Sequence, residues 1–197
     1  MKKIFIILFL TISMQGYTQT ILPSEKLYSE ENKNKLFSSN YYFKDVNGVL
    51  NKFLGTWRYQ SENELFEITF TKRTNQRTGT GHFRDELTSR YKYVKNGVEI
   101  YNTYTMPEVD NNHPGYFIFG NWMDESNLNS INLKYKEPGI RSGDSDRLIL
   151  EHIISPREQT EQLDWFADIE LFEDPDNPGE YITDYKIPYK MILVKVN

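Results

Sequence analysis

The chain has no cysteine. That one absence excludes disulfides, thiolate metal sites, cysteine nucleophiles and a lipid-carrying cysteine. A chain of 197 residues without cross-links must rely on a hydrophobic core, and this length is ample to build one. Basic residues are in deficit, 23 against 28 acidic, for a formal charge of −5. Without Lys2 and Lys3 the balance is 21 against 28, or −7. An acidic surface argues against nucleic acid, whose affinity rests on neutralised phosphates. Apart from the N-terminus no apolar run approaches membrane length, so no membrane span is expected. The chain also lacks a Gly-x-Ser-x-Gly elbow, a P-loop and a Gly-x-Gly-x-x-Gly turn, so serine-hydrolase and nucleotide chemistry have no support.

What is present begins with a secretory pattern. Lys2 and Lys3 precede the apolar run Ile4–Ile12, and Gly16-Tyr17-Thr18 offers a small-x-small site before Gln19. Residues 1–18 therefore read as a signal peptide, and the mature protein as secreted or periplasmic. Residues 19–40 are polar, with few apolar anchors, and read as a loose lead-in. Residues 41–197 read as one β domain.

The domain is organised around Val49 to Tyr59. Val46, Val49, Leu50 and Phe53 follow helical spacing behind Asp45, a candidate N-cap, and predict a short helix ending at Leu54. Gly55 breaks it, and Thr56-Trp57-Arg58-Tyr59 opens a strand. Phe66, Ile68 and Phe70 alternate with Glu67, Thr69 and Thr71, as in a half-buried strand. The polar stretch Lys72–Gly81 reads as a loop. Asn96-Gly97, between two alternating runs, supplies the two positive φ angles of a type I′ hairpin. Ile131, Leu133 and Tyr135, then Leu148–Ile154, then Trp165, Ala167 and Ile169, then Tyr189–Val196 continue the pattern. Eight to ten short strands with frequent turns predict an all-β fold, a single antiparallel barrel with a short N-terminal helix.

Several motifs carry a resemblance. Tyr41-Tyr42 with Lys44-Asp45-Val46, Leu50 to Tyr59, Tyr91 to Gly97, and Ile187-Pro188 through Lys195 are similar to a family of small secreted proteins of Flavobacterium-type Bacteroidota known only as a domain of unknown function. The resemblance implies a small secreted β protein and carries no catalytic residues. Gly55-Thr56-Trp57 after a short helix resembles, more distantly, the start of a lipocalin barrel.

Candidate chemistry is sparse. His82, His113 and His152 stand alone in their segments, without metal-ligand spacing, so neither metal nor cofactor is expected. The acidic turns at Asp144 and Asp146, and at Asp174, Asp176 and Asn177, read as turn caps; Tyr185 stands where an EF-hand would need its bidentate Glu. The scattered carboxylates form no pattern for acid–base work, and no enzymatic activity is expected. Two functions remain. One is a binding protein holding a small apolar or saccharide-like molecule in the barrel, with Trp57, Trp122 and Trp165 as its contacts. The other is a structural or protein-interaction module at the cell surface, with a filled barrel. A packed interior together with an exposed apolar patch would favour the second.

Overall fold

The computed structural model describes residues 19–106, 118–140, 147–157, 159–169, 172–173, 176–179 and 181–196. Residues 1–18, read above as a signal peptide, lie outside them, as do His113, Asp144, Asp146 and Asp174. Two strands near the start, β1 (Thr20–Pro23) and β2 (Tyr41–Lys44), pair in parallel. The barrel strands follow: β3 (Gly55–Gln60), β4 (Glu64–Arg77), β5 (Phe83–Lys95), β7 (Phe119–Asp124), β8 (Asn127–Lys134), β9 (Arg147–Ile154), β10 (Glu161–Asp168) and β13 (Lys190–Lys195). Of the rest, β6 (Val98–Asn102) extends β5 as a hairpin, and β11 (Phe172–Glu173) with β12 (Tyr181–Ile182) makes a separate small pair.

The eight barrel strands close in the order β3-β4-β5-β7-β8-β9-β10-β13 and back to β3, antiparallel throughout. Each barrel strand pairs with the next one in the chain, which is an up-and-down meander. Closure falls to β5. One of its edges pairs with β4 along nearly its whole length; the other is divided among β2 at Phe83–Arg84, β7 at Leu87–Thr88 and β6 at Lys92–Lys95.

Inward residues alternate as the sequence requires. Trp57, Phe66, Ile68, Tyr91, Ile131, Leu150 and Leu193 belong to one continuous core. At one end the core is capped by Val49, Leu50 and Phe53. The predicted helix shrinks here to a 3-10 turn, Asn51–Phe53. Gly48, at φ +66, interrupts the helical path, and Val46 is left exposed. Asp45 does not cap a helix. Its carboxylate takes the Leu50 N–H at 3.4 Å and the Lys72 ammonium at 3.0 Å.

Two further stretches depart from their sequence readings. The expected loop at residues 72–81 continues as strand to Arg77, past a register shift between Arg73 and Gln76. The lead-in carries β1 and two 3-10 segments, Ser24–Lys26 and Glu30–Phe37. Its polar side chains close its own turns: the Asn32 amide donates to the Lys26 carbonyl at 2.8 Å and to Ser29 Oγ at 2.9 Å. At Asn96-Gly97 both φ angles are positive, as the hairpin demands. No described helix is long and apolar enough to cross a membrane.

Candidate functional site

The three tryptophans fall into two settings. Trp57 on β3 and Trp165 on β10 point inward and are fully buried. Trp57 Nε1 donates to the Phe53 carbonyl at 2.9 Å, while Trp165 Nε1 has no hydrogen-bond partner. Trp165 packs edge-on against Phe66 and Tyr135, with ring centroids 5.2 and 5.7 Å away. The surrounding side chains leave no room beside them. Phe66, Ile68, Tyr91, Tyr93 and Leu150 each have 0% of their surface exposed, as do Trp57 and Trp165. A void wide enough for water would leave accessible surface on its walls, so these side chains line none.

Trp122 instead faces outward on β7. The Arg84 guanidinium lies 4.8 Å from its ring centre, and Tyr28 stacks 6.3 Å away at 22°. Arg84 is in turn paired with Glu86 at 2.8 Å, and both are buried under the N-terminal segment. An open groove of about 340 Å³ runs beside Trp122, lined also by Glu25, Tyr28, Asp124, Glu125 and Asn132. Structurally, Trp122 clasps the residues before β2 to the barrel wall.

A buried carboxylate, Glu137, sits just after β8. Burial pushes its carboxyl up, against donors that pull it down: the Tyr135 hydroxyl (2.6 Å), the Lys186 and Ile187 amides (2.8 and 3.0 Å) and Tyr101. Glu137 has 0% exposure, so it anchors the segment entering β13 and meets no solute. At the other barrel end Glu161 accepts from Lys195 at 2.5 Å, which holds its carboxyl below the usual range. Lys195 also lies over the Trp57 ring, 5.0 Å from its centre. Of the histidines, His82 is buried with Nδ1 2.7 Å from the Leu36 carbonyl, and His152 meets the edges of Phe53 and Trp57.

The outer wall formed by β9, β10 and β13 carries a cluster of apolar side chains. Its register places Ile149 beside Phe166, Glu151 beside Asp164, and Ile153 beside Gln162. On the far side, Phe166 pairs with Lys190, Asp164 with Ile192 and Gln162 with Val194. Asp164 thus stands at the centre of a field whose edges are mostly aliphatic or aromatic. Phe166, Ile192 and Val194 are 41%, 40% and 39% exposed, although the residues between them on each strand are buried. Such a cluster departs from the polar outer face that a half-solvated sheet normally shows. The sequence reading missed this wall. Its signal was the period-2 recurrence of Ile149, Phe166, Ile192 and Val194 opposite the core faces, which becomes a patch only once the strands are in register.

The chain belongs to DUF6705, a family of unknown function, whose model matches residues 1–195. No curated protein and no solved structure gives a significant match.

Proposed function

We propose that the protein is a secreted or periplasmic, non-enzymatic interaction module that presents the wall of β9, β10 and β13 to a protein partner, with the filled barrel as a rigid support. One contrast carries this reading: inward side chains at 0% exposure stand back to back with Phe166, Ile192 and Val194 at about two-fifths exposure. Free energy is gained on association by covering apolar surface, and here that surface is outside. The up-and-down strand order is the one lipocalins use. We take from that likeness the barrel and not an internal ligand.

Site-specific photo-crosslinking in the protein's own host tests the reading. The photoreactive residue is placed at Phe166, and separately at Glu62, an exposed residue of the turn between β3 and β4. The expected result is a discrete protein adduct from position 166 and none from position 62. Equal labelling from both, or no adduct from either, overturns the reading. Native mass spectrometry of the purified protein gives a second check. A stoichiometric small-molecule mass that leaves on denaturation would return the function to the barrel interior.

A further inference from the structure

We infer that the partner surface of this wall is cationic: a protein segment that sets a lysine or arginine among apolar residues against Glu151 and Asp164. This rests on the interaction-module reading and adds the chemistry of the partner. Glu151 and Asp164 are directly opposite one another on β9 and β10. Like charges in that relation repel, and folding gains nothing from the arrangement. Three of the cations around the wall are already engaged: Arg58 with Glu67 at 2.6 Å, Arg147 with Asp168 at 2.9 Å, and Lys195 with Glu161 at 2.5 Å. Lys190, at the corner of the field, makes no ion pair with either acid, and among the described residues neither acid has a cationic partner.

Asp164 adds a second observation. Its Oδ1 is shielded from solvent and accepts no hydrogen bond. A carboxylate oxygen withdrawn from water without a donor is costly, and a cation that a partner brings against the carboxylate offsets that cost electrostatically. The apolar neighbours strengthen the effect, because covering Phe166 and Ile192 lowers the local dielectric around the ion pair that forms. A second copy of the chain is a poor occupant. A two-fold contact centred here sets Asp164 against its own copy. Nor does the wall offer a free strand edge, since β10 is paired on both sides; the partner must pack face to face.

The test uses two capped six-residue peptides as probes, Lys-Ile-Lys-Val-Lys-Ile and its counterpart with Glu for Lys. They are titrated into the full, isotope-labelled protein with methyl signals followed by NMR. The cationic peptide is expected to shift Ile149, Ile192 and Val194, and the doubly substituted Glu151→Gln, Asp164→Asn protein to bind it at least tenfold more weakly. Equal binding of the anionic peptide, or unchanged affinity in the double variant, overturns the cationic partner while leaving the position-166 crosslink, and so the module reading, intact. No shift with either peptide also overturns the inference. Shifts that depend on protein concentration alone overturn it in favour of self-association.

Discussion

The indole nitrogen of Trp57 donates to the carbonyl oxygen of Phe53 at 2.9 Å, joining the first barrel strand to the turn that closes the barrel end. Trp165, equally buried, leaves its indole N–H without a partner. The two tryptophans therefore respond differently to the same substitution. Trp57→Phe loses ring volume and strands a buried carbonyl, and we expect about 3 kcal/mol of destabilisation. Trp165→Phe loses the same volume but removes an unpaired donor, and should cost about 1–2 kcal/mol less. Urea unfolding of both variants measures the difference; equal costs would mean that the Phe53 bond contributes nothing.

The Trp57–Phe53 link shows what a sequence can disclose. Val49, Leu50 and Phe53 are spaced to bury one face, Gly55 ends the turn, and the strand follows; every step is local. Asn96-Gly97 is legible for the same reason, since its positive φ angles are a property of two residues. The continuation of β4 through Thr74-Asn75-Gln76 was not legible. That stretch has no apolar face of its own. It is held by β5 and by the Asp85 carboxylate, which takes the Asn75 N–H at 3.1 Å from ten residues away. The outer wall was hidden in a similar way. Ile149, Phe166 and Ile192 each look like an ordinary exception on a polar face, and only the register of three strands makes them neighbours.

Gly120 is expected to tolerate no side chain. It sits at φ +135, and a Cβ there would overlap the ring of Trp122. Gly120→Ala must displace the indole and adopt a strained backbone, at about 2–4 kcal/mol together. Because Trp122 holds Tyr28, the displacement should also loosen the residues before β2. Thermal unfolding reads the first effect, and faster proteolytic cleavage within residues 24–37 reads the second. A variant that melts like the parent would contradict this packing of Gly120 against Trp122.

Glu137 predicts a pH dependence with a definite sign. Burial raises its folded carboxyl above the ordinary value of 4.5, so the folded state holds this proton more tightly than the unfolded chain does. Its contribution to stability is complete below the unfolded value and is lost as pH rises through the raised folded one. Glu137→Gln does not titrate, but it replaces one acceptor oxygen by a donating NH2, so either the Lys186 or the Ile187 N–H loses its partner. We expect the variant to be about 1–3 kcal/mol less stable at about pH 4, with the gap narrowing toward about pH 8. Urea midpoints across that range decide it, and a gap that widens with pH would reverse the assigned direction.

The wall makes the last prediction, in which stability and binding move in opposite directions. Asp164 faces Glu151 and carries an unpaired oxygen, so neutralising it removes a repulsion the fold must otherwise bear. Asp164→Asn should raise stability by about 0.2–1 kcal/mol, the range of a cross-strand pair. Glu151→Gln relieves the same repulsion. The two gains should therefore fall short of additivity when combined, since the pair can be relieved only once. Phe166→Ser should leave stability within about 0.5 kcal/mol, because nothing in the core depends on an exposed ring. The two charge variants should nevertheless weaken partner capture at position 166 by removing charge, and Phe166→Ser should weaken capture from a photoreactive residue placed at Ile192 by removing contact area. A natural sequence keeps a destabilising pair where function uses it. Chemical unfolding of the two single variants and the double gives the coupling energy directly. A coupling near zero, with stability unchanged by Asp164→Asn, would mean that water already screens the pair and that the wall stores no repulsion for a cation to relieve.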